Sequence, residues 1–433
     1  MPNVTLLSGR FVDIEESSGA LRDRKEFAVA WETSEGKIID LGPKDQVSQR
    51  YPEATLREIK RGFILPGNVD CHIHYPQTKI IGGMGDDLLD WLNKNVWPEE
   101  SRLKNFEYAK EVASDFLFHL HQVGTTTALV FGSQFLPATD ELFRQATEKG
   151  MCILTGLTLQ DRNTNPALQK SPDILHQECK QLINKWHKKE RAFYAVTPRF
   201  SPACSDELME VCRSLIKEFP DVYLQTHINE SPSEIAWVAE LYPECRDYLD
   251  SYEKFGLLGS KTVLAHSVHT TEPELARIAS FDCGVAHCPS SNGFLGSGAF
   301  PMKRHLAHNI KVGLGTDVGA GISFSLWREA GHSYFMQMRL PLEEREPISG
   351  RSMLKQSTVD GAKVLGLTNE IGNFEKNKWM DCTIFSPPDN SYLGRFLKES
   401  ESNIEQMLFR MGISTEQEML SETIIRGNTV YKR

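Results

Sequence analysis

Residues 64–74 read Ile64-Leu65-Pro66-Gly67-Asn68-Val69-Asp70-Cys71-His72-Ile73-His74. An apolar run passes a Pro-Gly pair and continues as a strand that closes on two histidines. Side chains two apart on a strand point to the same side, so His72 and His74 aim together. Thirteen histidines in 433 residues would give about 0.4 such H-x-H pairs by chance, and the chain has two. The other pair, His119 and His121, lies in Glu111 to Gln122, which reads as a helix. Residues two apart on a helix do not share a face, so that pair reads as ordinary helix histidines. The strand-borne pair has the geometry for one metal ion.

Outward from this segment the pattern alternates strand and helix. Strands are expected at Asn68–His72, Thr126–Phe131, Cys152–Leu157, Phe193–Val196, Val222–Thr226, Thr262–Ala265, Cys283–Ala286 and Lys311–Leu314. Helical connections lie between them, from Asn105–Gln122 to Met302–Asn309. Eight strands so separated predict an α/β fold, a (β/α)8 TIM barrel, whose chemistry gathers at the strand C-terminal ends. A doubly wound open sheet is the structural alternative, but no Gly-rich fingerprint follows the first strand. Short strands at both ends of the chain, the last broken by a Gly-Asn turn at 427–428, predict a small β-sandwich domain formed from both termini. The expected division is 1–65 with 371–433 for this domain and 66–370 for the barrel.

The net charge is −10 and the isoelectric point near 5.8, which leaves no basic footprint for nucleic acid or an anionic membrane. Nine scattered cysteines, an odd number with no C-x-x-C pair, read as reduced thiols in the cytoplasm. The first residues carry no apolar signal core, and no run of about 18 apolar residues occurs.

Further chemistry-bearing residues fall at later strand ends. His227 follows Val222–Thr226, with Glu230 three residues on; His266 ends Thr262–Ala265; Asp317 follows Gly313-Leu314-Gly315-Thr316. Singly, each reads as a strand cap or a turn. Together, imidazole nitrogens and a carboxylate suit a divalent transition ion. His287 ends the seventh strand and reads as part of a loop wall.

With these segments the chain resembles the amidohydrolase superfamily and, within it, the guanine deaminases. The resemblance is carried by Pro66–Gln77, Leu88-Leu89-Asp90-Trp91-Leu92, Gly124–Ala128, Val196–Ser201, Gln225–Glu230, Leu264–His266, His287–Asn292, Gly313–Gly321 and Ile371–Glu375. It spans nearly the whole chain, in order. Three positions depart from the family pattern: Cys71 where Thr is usual, Leu157 where Lys is common, and Asn377 where Gly is usual. Of these, Leu157 is the one with a bearing on the pocket's polarity.

The resemblance implies one zinc per subunit, held by His72, His74, His227 and Asp317, with Glu230, His266 and Asp317 as catalytic residues. It implies guanine and water as substrates and a homodimer as the assembly. A flat base needs its edge read and its faces covered. Arg199 offers planar donors for O6, Gln77 both a donor and an acceptor, and Trp91 and Phe200 apolar walls. Rival readings are weaker. His176-Gln177-Glu178 matches half of the cytidine-deaminase signature, but no P-C-x-x-C follows. A binuclear cyclic amidase needs a bridging Lys where the chain has Thr197-Pro198-Arg199. A catalytically dead scaffold would have lost ligands, and none is lost here. Aminohydrolases of other purines, pterins or triazines share the metal residues and remain the alternative.

Overall fold

Eight parallel strands follow one another in chain order: β1 (Asn68–His74), β2 (Thr125–Phe131), β3 (Cys152–Gly156), β4 (Ala192–Pro198), β5 (Tyr223–Ile228), β6 (Thr262–His266), β7 (Gly284–His287) and β8 (Lys311–Leu314). Each pairs with the next in parallel register. Backbone bonds just past β8 bring it onto β1. Asp317 N–H donates to His72 O at 2.8 Å, and His74 N–H donates to Val318 O at 3.1 Å. This is the expected barrel, seen in a computed structural model that describes residues 3–85, 88–401, 403–416 and 418–433.

The strands are apolar on both sides because helices cover the outside and side chains fill the inside. Every residue of β1, β2 and β3 is buried. Helix Phe106–Gln122 starts where Asn105 caps it by accepting from Tyr108 N–H. Its apolar face, Val112, Phe116 and Leu120, joins the same core as Ile73, Val130 and Ile153 from the strands. One close approach demands a glycine. A Cβ on Gly315 would stand 2.7 Å from the Cβ of His72, so only glycine lets the chain just past β8 lie this close to His72.

Strands from both chain ends build the second sheet: Val4–Ile14, Leu21–Glu32, Ile38–Pro43, Thr55–Glu58 and Phe63–Pro66 with Cys382–Phe385, Leu420–Ile425 and Asn428–Lys432. Seven of them form one hydrogen-bonded series, and Thr55–Glu58 pairs beside it on Val4–Ile14. Leu7, Phe11, Val29 and Trp31 from one side of it share a core with Cys382, Ile384 and Ile424 from the other, so the sheet folds its inner face around common side chains.

Two details differ from the sequence reading. His74, expected just past the first strand, is its last residue. The final turn is Arg426-Gly427, one residue earlier than the expected Gly-Asn pair, with Ile425 opposite Asn428. Both turn residues have positive φ, +52° and +76°, as a two-residue hairpin of this hand requires. At Gly427 a Cβ would also strike the Trp31 indole. Among the described residues no helix is long and apolar enough to cross a membrane.

Candidate active site

β1 ends by presenting His72 and His74 side by side, their Nε2 atoms 3.2 Å apart. β5 brings His227 Nε2 to 3.3 Å from His74 Nε2. The turn after β8 brings Asp317 Oδ1 to 3.2 Å from both His72 and His74. Each contact comes from a separate piece of chain, and the barrel closure described above holds Asp317 against His72.

Burial holds His72 below its ordinary range, His74 down to about 4 and His227 well below its ordinary range, so these imidazoles are neutral with free lone pairs. Burial alone would raise Asp317, but His72, His74 and His266 around it hold it well below the usual carboxylate range. His227 Nδ1–H donates to Arg199 O at 2.6 Å, which turns Nε2 toward the cluster. Neutral nitrogens facing one another cannot all satisfy each other by hydrogen bonds. Four ligand atoms around an ion at bond lengths of about 2.0–2.1 Å stand about 3.3–3.4 Å apart in a tetrahedron. The residues fit a divalent transition ion on both counts.

The backbone is strained at this point. Asp317 and His266 sit at φ +48° and +74°, a region that costs a non-glycine residue roughly 1–3 kcal/mol. The Asp317 N–H bond to His72 O and the Ser267 N–H bond to Ile228 O, at 2.9 Å, hold these turns.

Beside the cluster stands Glu230, with Oε2 3.5 Å from His266 Nε2 and Oε1 accepting from Ser297 Oγ at 3.2 Å. Burial and the negative charge of Asp317 push Glu230 up to about 8. His266 Nε2 also lies 3.8 Å from Asp317 Oδ2, while its Nδ1–H donates to Asn292 Oδ1 at 2.9 Å. One cavity joins these groups. His74, His227, Glu230, His266 and Asp317 line it together with Gln77, Trp91, Arg199 and Phe200. His72 lies buried against the same donors.

All ten residues singled out in the sequence therefore meet at one place. The two histidines on helix Phe106–Gln122 do not join the donor group; His119 lies against Phe324, and His121 is buried with its carbonyl accepting from Thr423 Oγ1. His287 stacks on Phe300 with ring centroids 4.4 Å apart, outside the group. Leu157 is a correction. It packs in the core between strands and helices and does not line the cavity, so its departure leaves the pocket's polarity unchanged. Asn377 takes φ +70°, where glycine is favoured and Asn is tolerated.

Sequence reasoning missed several neighbours. Glu100 accepts from Gln77 and Arg199 and is 2% exposed. Leu88, Leu92, Leu295 and Ala320 complete the cavity's apolar wall. Glu234 lines it as well and is the N3 member of a capping box with Ser231, a spacing that was readable. Cys288, one of the cysteines read as reduced thiols, has its Sγ among the His72, His266 and Asp317 donor atoms. Burial pushes its thiol well above the ordinary range, so it packs there as a thiol.

A model of the amidohydrolase family matches residues 63–430. A probable guanine deaminase from Deinococcus radiodurans is 43% identical over 404 residues, covering 92% of this chain and 91% of that protein. The solved structure of Escherichia coli guanine deaminase superposes with a TM-score of 0.93 at 34% identity, covering both chains fully. A guanine deaminase from C. acetobutylicum, solved with guanine in its active site, superposes with a TM-score of 0.91 at 26% identity, covering 99% of this chain and 100% of that one.

Proposed function

The chain belongs to the amidohydrolase family and, within it, to the guanine deaminases, and from that premise we propose how its residues divide the work. The reaction is the hydrolysis of the exocyclic C2–N bond of guanine: guanine and water give xanthine and ammonia. His72, His74, His227 and Asp317 would hold one zinc ion per subunit. When bound, zinc lowers the pKa of a water and supplies hydroxide near neutral pH.

Glu230 moves the protons. Its carboxylate takes one from the attacking water, passes it to a ring nitrogen beside C2, and so makes C2 electrophilic. It then takes the second proton from the oxygen now bonded to C2 and delivers it to the amine; the C2–N bond breaks as the C2 carbonyl forms, and the amine leaves as ammonia. Burial and the nearby Asp317 charge raise this carboxylate's proton affinity, so it is a stronger base toward water than an exposed Glu and can still protonate a departing amine. His266, fixed by Asn292 on one nitrogen, faces Glu230 and Asp317 with the other and orients the water between them. Arg199 donates to O6, Gln77 pairs with the ring edge, and Trp91 and Phe200 cover the faces.

The observation that carries this reading is one cavity shared by Glu230 and the Gln77–Arg199 pair beside the neutral imidazole cluster. Homodimer assembly belongs to the proposal; Phe335 and Met338, each about half exposed on helix Leu326–Met338, support it. A cytoplasmic setting is supported by nine cysteines that are all free thiols. Metal analysis combined with a guanine assay tests the assignment. Protein stripped by a chelator should lose xanthine formation and regain it at one zinc per chain. Full activity in metal-free protein would overturn it.

A further inference from the structure

We infer that Glu100 is a positioning and specificity-determining residue that sets both the orientation and the charge of the Gln77–Arg199 pair, so that the site takes neutral purines and turns away anionic ones. The inference rests on the proposed binding of guanine by that pair. Glu100 comes from helix Trp97–Arg102, outside the strands. Its Oε1 accepts from Gln77 Nε2 at 3.1 Å and its Oε2 accepts from Arg199 Nη1 at 2.8 Å. The Glu100 and Arg199 side chains are 2% and 4% exposed. One carboxylate thus ties the loop after β1 to the residue that follows β4.

Two consequences follow from chemistry. An ionised carboxylate only accepts, so Gln77 must turn its NH2 toward Glu100. The Gln77 Oε1 then accepts from Gly319 N–H at 3.1 Å, and the amide is fixed from both ends. The ring edge meets a Gln77 that cannot flip. The second consequence is electrostatic. A guanidinium stays protonated, and a bare one in a buried cavity would draw anions strongly. Glu100 supplies the balancing charge at hydrogen-bond distance, so the pair offers N–H donors without a net cation. Guanine is neutral and accepts these donors; a purine anion gains little from them.

Kinetics of the zinc-loaded protein and of Glu100→Gln and Glu100→Asp test this, with two purine inhibitors at neutral pH: hypoxanthine, which is neutral, and urate, which is an anion. Glu100→Gln removes the charge. Its KM for guanine should rise about tenfold or more, exceeding any fall in kcat. Inhibition by urate relative to hypoxanthine should strengthen by about tenfold. Glu100→Asp keeps the charge and shortens the reach, so KM should rise while the urate-to-hypoxanthine ratio stays at the native value. An unchanged KM in Glu100→Gln, or a raised KM with an unchanged ratio, would overturn the inference. If Glu100→Gln does not fold, Glu100→Asp decides alone: an unaltered KM there refutes it. The outcome is separable from the functional reading, which fails if the native protein releases no ammonia from guanine.

Discussion

The Glu230 carboxylate stands 3.5 Å from the His266 imidazole, beside but not within the group of donor atoms formed by His72, His74 and His227. In the proposed division of work, that separation lets one carboxylate, Asp317, serve a metal while another handles protons. Two carboxylates in one cavity are pushed apart by their surroundings, Asp317 far down by imidazoles and Glu230 up to about 8 by burial.

Replacing Glu230 by Gln keeps the shape and the Ser297 contact but removes the proton carrier. We expect kcat for guanine to fall by about 10²–10⁴-fold, the usual value of general acid–base help. Metal content should stay at the native level. Stopped assays paired with metal analysis read both, and loss of metal would reassign Glu230 to the ligand set.

Arg199→Ala removes the proposed donors to O6. A hydrogen bond to a charged group is worth about 1.5–3 kcal/mol, so KM for guanine should rise about ten- to a hundredfold. Because only its backbone carbonyl touches His227, at 2.6 Å from Nδ1, zinc stoichiometry should be unaffected. Guanine kinetics identical to the native protein's would remove Arg199 from the binding scheme.

Glu329, on helix Leu326–Met338, is fully buried and raised to about 8, chiefly by burial, with the Ser290 N–H opposing at 3.0 Å from Oε2. A carboxyl raised on folding contributes stability that is whole below its unfolded pKa, about 4.3, and lost as pH climbs to about 8. Glu329→Gln lacks that titration. Its melting temperature should therefore overtake the native value progressively between about pH 5.5 and about pH 8.5. Parallel melting curves across that window would contradict the assignment of a neutral buried carboxyl.

The barrel was legible because its signal is local: β8 falls on the residues expected, and the other strands differ by one or two residues at their ends. His72 and His74 were legible for the same reason, since strand alternation alone puts them on one side. Glu100 was not. In Trp97-Pro98-Glu99-Glu100-Ser101-Arg102 it looks like any exposed helix acid, and Glu99 does pair locally with Arg102 at 2.8 Å. What distinguishes Glu100 is a partner 99 positions away, which only the closed barrel supplies. Leu157 failed in the opposite sense. Its expected place at the end of a barrel strand suggested the pocket, but its side chain packs in the core shared by strands and helices and does not line the cavity.

The most direct measurement is the rate of ammonia release by zinc-loaded protein from a panel containing guanine, adenine, an aminopterin and an amino-triazine. These substrates share the metal chemistry and differ in the edge they present to Gln77 and Arg199. The account predicts that kcat/KM for guanine exceeds every other member by at least about 10²-fold, because sites built on hydrogen bonds reject analogues that lack the partner group. Equal or faster release from another member, or none from guanine, would contradict it.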